Sequence, residues 1–292
     1  MKVFTKILQI ISGIILVAAL IGCSSMETPN LVITETQSPS NNSTDNAPSS
    51  LTQIQARGVL IVGTALTEPF IFHDPVTDDL VGFDIDVVNQ IADSLGVTLQ
   101  FVEMPFANLI PALQDHKIDM TIAAMYITED RKLLVDFSQP YLDTGLVMVA
   151  NPAQYMNIRT VQDLAGLRVG VKIGATGAKK AQELLKQGIN LEIVEYKDTI
   201  NSLLDLEVGR VDVIFNDYLN TLAYLKNTRS DIKIITNQNG DVIFLSQAGL
   251  GIAVQQYSPE LLEFVNSTLE EMKKDGTMDR LYKFWLFPAI DD

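Results

Sequence analysis

The side chains with chemistry to offer are few, and each has a plain structural reading beside the functional one. Lys172-Ile173-Gly174-Ala175-Thr176-Gly177 lies where a strand gives way to a helix, and glycines there let backbone N–H groups approach an anion at a helix start. On composition an ordinary strand–helix turn explains the segment almost as well. No Gly-Lys-Ser/Thr follows at the spacing of a nucleotide-binding loop. Arg131 falls in the first turn of a helix opening at Thr128. A cation there opposes the helix macrodipole, which a bound carboxylate would offset, although most helix arginines are simply solvated. Asp217 ends one strand and begins a helix, the position of a common N-cap. Phe106, as a bare feature, reads as core. His73 and His116 stand beside Asp74 and Asp115 in segments that read as surface loops. Neither a nucleophile elbow nor a metal-ligand cluster is visible in the sequence, which argues against hydrolytic and metal-dependent chemistry.

Composition narrows the classes further. The chain has 292 residues, 36 acidic and 21 basic, with a formal net charge of −15, which argues against nucleic acid as the main partner. Its single cysteine excludes an internal disulfide and any cysteine-based zinc site. That cysteine, Cys23, follows Lys2, Lys6 and an apolar run from Ile7 to Gly22, too short for a comfortable span but suited to a secretory signal. Leu20-Ile21-Gly22-Cys23 resembles a bacterial lipobox, so residues 1–22 are expected to be a lipoprotein signal peptide and Cys23 the lipidated mature N-terminus. Residues 23–50 are rich in Ser, Thr, Asn and Pro, and read as a flexible tether. Lipid and tether together place the remainder on the extracytoplasmic face of a bacterial membrane, anchored and not spanning.

The elements that must position the chemistry follow from hydrophobic spacing. Strands are expected at Val59–Gly63, Leu99–Glu103, Asp119–Ala123, Arg168–Lys172, Leu191–Glu195 and Val211–Phe215. Helices are expected over Asp84–Leu95 and Phe106–Asp115 and after Thr128, Thr176, Asp198 and Asp217, with a last long one from Ser258-Pro259. This alternation predicts α/β architecture with mainly parallel sheets. Two apolar segments, Gly145–Ala150 and Gly249–Val254, lack a helix on one side and bracket the second αβ series. A chain that leaves one lobe and returns needs two such crossings. Lobe one is therefore expected at residues 51–145 plus 250–292 and lobe two at 146–249, joined by two hinge strands with a cleft between them.

An ordered set of short motifs sharpens this. Leu80-Val81-Gly82-Phe83-Asp84-Ile85-Asp86, Leu109-Ile110-Pro111-Ala112-Leu113 and Ile127-Thr128-Glu129-Asp130-Arg131 precede Val135-Asp136-Phe137-Ser138-Gln139-Pro140-Tyr141, Gly209-Arg210-Val211-Asp212 and Lys274-Asp275-Gly276-Thr277. The set resembles extracellular solute-binding protein family 3, the polar amino acid-binding receptors of ABC importers, over residues 51–287. The resemblance implies a two-lobed type II periplasmic-binding-protein-like fold and capture of an amino acid by hinge closure. It further implies delivery to a membrane permease, no cofactor and a monomeric, non-enzymatic protein. It puts Arg131 on the ligand carboxylate with help from Thr176, Asp217 on the ammonium, and Phe106 over the ligand side chain. Three positions depart from the family pattern. Thr67 stands where an aromatic is usual, ahead of Glu68-Pro69-Phe70. Tyr126 replaces a small hydroxyl residue after the Ala123-Ala124-Met125 loop, whose Ala124 is expected at the site. Lys172 adds a cation that could pair with Asp217 or with an acidic or amide ligand side chain. Two other readings remain open: a cyclohexadienyl or arogenate dehydratase on the same scaffold, using Glu68 or Asp217 as its acid, and a ligand-sensing module.

Overall fold

The computed structural model describes residues 50–287. Cys23, the expected signal peptide and most of the expected tether lie outside the described residues. A short helix that the spacing did not predict, α1 (Ser50–Arg57), opens the described chain and is held by buried Ile54. The first series then runs β1 (Val59–Thr64), β2 (Phe72–His73), β3 (Leu80–Val81), α2 (Phe83–Leu95) and β4 (Thr98–Glu103). It continues through a 3-10 turn at Phe106–Asn108 into α3 (Leu109–Gln114), β5 (Met120–Thr121), α4 (Glu129–Lys132) and β6 (Asp136–Phe137). The second series is β7 (Leu142–Ala150), α5 (Pro152–Tyr155), β8 (Arg168–Lys172), α6 (Thr176–Lys186), β9 (Glu192–Tyr196), α7 (Thr199–Glu207), β10 (Val213–Asp217) and α8 (Tyr218–Asn227). After β11 (Lys233–Ile234), β12 (Phe244–Leu250) and β13 (Ala253–Val254), two helices close the chain, α9 (Pro259–Lys274) and α10 (Thr277–Trp285).

Two main sheets result among the described residues, one in order β4-β1-β5-β13-β6, the other in order β11-β7-β10-β8-β9 with β12 on β7, and β2 pairs with β3 in a small third one. Strands joined through a helix are parallel, β1 to β4 and β5, and β8 to β9 and β10. The expectation of mainly parallel sheets is corrected elsewhere: β7 pairs antiparallel with β10, β11 and β12, and β13 pairs antiparallel with β5 and β6. Every antiparallel pair within these two main sheets involves β7 or β13, the strands by which the chain enters the second series and returns from it, and these run against the strands that they join.

The expected single strand Gly249–Val254 also divides. Its first residues extend β12 along β7, from Leu250 opposite Leu142 to Phe244 opposite Val147, and its last form β13 in the other sheet. Gly251 lies at the switch, where a Cβ would come 2.7 Å from Ile127 Cγ1. Both crossings therefore lie side by side in one antiparallel ribbon.

The expected strand Asp119–Ala123 keeps only Met120–Thr121 in the sheet. Asp119 Oδ2 instead accepts the Ile61 N–H at 2.7 Å and Arg57 Nη2 at 2.5 Å, and Ala124 turns to a φ of 47°. That turn aims the next residues at the gap between the sheets. One core, with Phe70, Phe83, Leu109 and Val265, serves the first sheet, while the second sheet is packed on both faces.

Candidate functional site

Arg131 reaches the gap from α4, whose N-cap Thr128 accepts the Arg131 N–H at 3.4 Å. Its guanidinium donates to the Tyr126 carbonyl at 2.8 Å and to the Gly174 carbonyl at 3.2 Å, and lies 5.2 Å from the Phe106 ring centre. Lys172, at the end of β8, puts Nζ 4.7 Å from the same ring centre and donates to Thr67 Oγ1 at 3.0 Å. The expectation that Lys172 could pair with Asp217 is corrected: its hydrogen bond goes to Thr67. Among the described residues neither cation has a carboxylate within ion-pair distance. Loss of hydration pulls the Lys172 ammonium down to about 8 and the Arg131 guanidinium down to about 10. Phe106 is thus flanked by two weakly hydrated cations, with Asp198 and Asp217 acting on Lys172 only from beyond ion-pair distance.

Asp217 takes the N-cap position foreseen for it and turns its other oxygen to the gap. As N-cap of α8, its Oδ1 accepts the N–H groups of Leu219 at 2.8 Å and Asn220 at 3.0 Å. Its Oδ2 faces the gap and accepts the hydroxyls of Tyr126 at 2.5 Å and Thr144 at 3.0 Å. Burial raises the Asp217 carboxyl above its usual range, and these four donors work against that shift. Thr176 begins α6 after Gly174, which has a φ of 74° and where an added Cβ would come 2.8 Å from the Ala107 Cβ, leaving no room for a side chain. Thr176 Oγ1 is buried without a hydrogen-bond partner.

Seven of the eight expected residues, Thr67, Phe106, Ala124, Tyr126, Lys172, Thr176 and Asp217, line one cavity of about 50 Å3. Arg131 stands just outside that lining, behind Phe106 and the Tyr126 carbonyl. The cavity is small because the two lobes are drawn together. Besides the Arg131, Lys172 and Tyr126 bonds, Lys179 pairs with Asp130, and Asn220 donates to the Glu68 carbonyl. Larger hollows lie elsewhere. One of about 400 Å3 at the rim is lined by Leu66, Glu68, Phe72 and Tyr224, among others, and one of about 520 Å3 lies behind the ribbon by Asp143 and Tyr218. Neither gathers unpaired charge as the small cavity does.

Two contributors escaped sequence reasoning. Asp84, fully buried in α2, accepts the Ala124 N–H at 2.7 Å and the Tyr141 hydroxyl at 2.9 Å, so it holds the turn that carries Tyr126. Burial pushes its carboxyl up to about 7. Thr144, on β7, supplies the second hydroxyl to Asp217. The Gly-Phe-Asp triplet gave a motif signal for Asp84; nothing in sequence marked Thr144. Of the histidines, His73 belongs to β2 and not to a loop, with Nε2 3.1 Å from Glu103, and His116 Nδ1 lies 2.6 Å from Gln255. Both lie away from the cavity.

Known proteins share the fold of this chain. The family model of bacterial extracellular solute-binding proteins, family 3, fits residues 60–288, and the chain belongs to that family. It is 30% identical over 236 residues to the L-cystine-binding protein TcyJ of Escherichia coli K12, covering 80% of this chain and 85% of that protein. Among solved structures it is similar to an ancestral arginine-binding protein bound to arginine, with TM-score 0.72 and 40% identity, covering 78% of this chain and 98% of that one. It is also similar to the ancestral amino acid-binding protein AncCDT-1, a precursor of cyclohexadienyl dehydratase, with TM-score 0.72 and 34% identity over 82% and 99% of the two chains. The fold is the two-lobed type II fold of periplasmic binding proteins.

Proposed function

We propose that this protein is the extracytoplasmic receptor of an ABC importer and captures an amino acid with an acidic or amide side chain by closing its lobes. The observation that carries this reading is the pair of cations, Arg131 and Lys172, on either side of Phe106, neither in ion-pair contact with a carboxylate among the described residues. A guanidinium presents a planar fork that matches a carboxylate, and the unpartnered Thr176 hydroxyl lies in the same cavity to support it. The Lys172 ammonium then suits a second acceptor at the far end of the ligand and opposes a cationic side chain. Arginine, which gives several relatives their names, would set its guanidinium against Lys172 and is disfavoured. Thr67, Phe106, Ala124, Tyr126, Arg131, Lys172, Thr176 and Asp217 form the proposed ligand site.

Ligand contacts drawn from both lobes favour the closed form by their differential affinity. The lobes divide at β7 and β12, and the closed monomer docks on a permease. Cys23 carries the lipid that holds it at the membrane, and a Cys23→Ser chain is expected to move from the membrane pellet to the soluble fraction.

The dehydratase reading receives less support. Glu68 lines the rim hollow, its carboxylate accepting from Asn227 at 3.0 Å, and Asp217 already accepts four hydrogen bonds. Titration calorimetry tests the whole assignment. Glutamate or glutamine should bind and arginine should bind more weakly, and Arg131→Met should cost about 2–5 kcal/mol of binding, the penalty for breaking a buried charge pair. Undiminished binding by that variant would overturn the site.

A further inference from the structure

We propose that Tyr126 occupies, from within the protein, the acceptor on Asp217 that an α-ammonium would use, so that the site selects for carboxylates and not for an α-amino group. This rests on the receptor reading above and sharpens its ligand class. A carboxylate offers about four lone-pair positions. Those of Asp217 are met by Leu219 N–H, Asn220 N–H, Tyr126 Oη and Thr144 Oγ1. The two N–H donors are fixed by the start of α8, and Thr144 belongs to β7 in the same sheet as Asp217. Tyr126 alone crosses the gap from the other side.

Its position is built and not incidental. The ring is 7% exposed, its carbonyl is held by Arg131 Nη1, and its backbone bridges to Leu250 on the crossing ribbon. Two residues earlier, Asp84 fixes the Ala124 turn. With only about 50 Å3 left in the cavity, the phenol fills space as well as hydrogen-bonding capacity.

In the closed form an ammonium on Asp217 would have to displace the Tyr126 hydroxyl, so its gain is reduced by the bond that it replaces. The groups that read carboxylates keep capacity to spare. Arg131 spends two of its five N–H donors on the Tyr126 and Gly174 carbonyls, Lys172 spends one of its three on Thr67, and the Thr176 hydroxyl has no partner. The expected ligands are dicarboxylates and carboxylate-amides, with or without an α-amino group.

Calorimetry on the intact protein with matched pairs tests this: L-glutamate against glutarate, L-aspartate against succinate, and L-glutamine against its des-amino acid. A receptor with an open acceptor rejects the analogue lacking the donor by roughly 10^4; here the tighter-binding pair should agree within about tenfold. Tyr126→Phe keeps the ring, removes the hydroxyl and leaves Asp217 with an unfilled lone pair. It should raise the preference for the amino acid by about tenfold or more, and Tyr126→Ser should move it the same way, each checked for folding by its melting curve. A wild-type preference above tenfold for the amino acid overturns the proposal and leaves the receptor reading standing. So does an unchanged ratio in a folded variant. If no member of any pair binds, both readings fall together.

Discussion

Lys172 shows how much of the site depends on single groups. Its ammonium titrates near 8, below the ordinary lysine value of 10.5, because lost hydration outweighs the attraction of Asp198 and Asp217. A ligand carboxylate beside it would favour the charged form and raise that value in the complex. Binding therefore takes up a proton above about pH 8, and affinity should fall as pH rises through that point, by up to about tenfold per unit. Dissociation constants at pH 7 and pH 9 check this, and Lys172→Met should give weaker binding with a flatter profile. Sequence placed Arg131 at a helix start behind its Thr128 cap, where the structure also has it, but its role on a carboxylate came from the family resemblance. Tyr126 stood out as too large for its place, but its partner Asp217 lies 91 residues away. Only the closed fold brings the two together.

At the level of elements, α2 does more than cover a sheet. Its first turn delivers Asp84 to the Ala124 turn, at the cost of a buried carboxyl whose value rises from 3.8 to about 7. The folded protein thus holds this proton over a range in which the unfolded chain has released it. The stability contribution of Asp84 is greatest at low pH and declines as pH rises from about 4 to about 7. Over that window the loss is about 4 kcal/mol at 1.36 kcal/mol per pKa unit. Asp84→Asn should remove this slope, so chemical denaturation of both proteins across pH 4–7 should give lines that diverge. Apolar periodicity made the helices and the parallel strands legible. It did not show the switch at Gly251, because two strands of different sheets run together as one apolar segment when the sequence is read alone.

In the whole molecule, closure is held by contacts of unequal worth. The Lys179–Asp130 pair spans the lobes at the surface, with its side chains 53% and 66% exposed. Exposed pairs of this kind contribute about 1 kcal/mol or less, so Asp130→Ala should change ligand affinity by no more than about fivefold. The same calorimetric titration that detects the Arg131→Met loss would detect a larger effect and so contradict this ranking. The double crossing has a further consequence, which concerns the order in which the chain emerges. By Leu250 every strand of the second sheet has been made, whereas the first sheet still lacks β13, which sits between β5 and β6. The lobe begun first is therefore completed last, by a segment that must find its place more than a hundred residues from Thr121, its partner across the sheet. A ribosome or a secretion channel releasing this chain from its N-terminus would let the second lobe fold while the first waits.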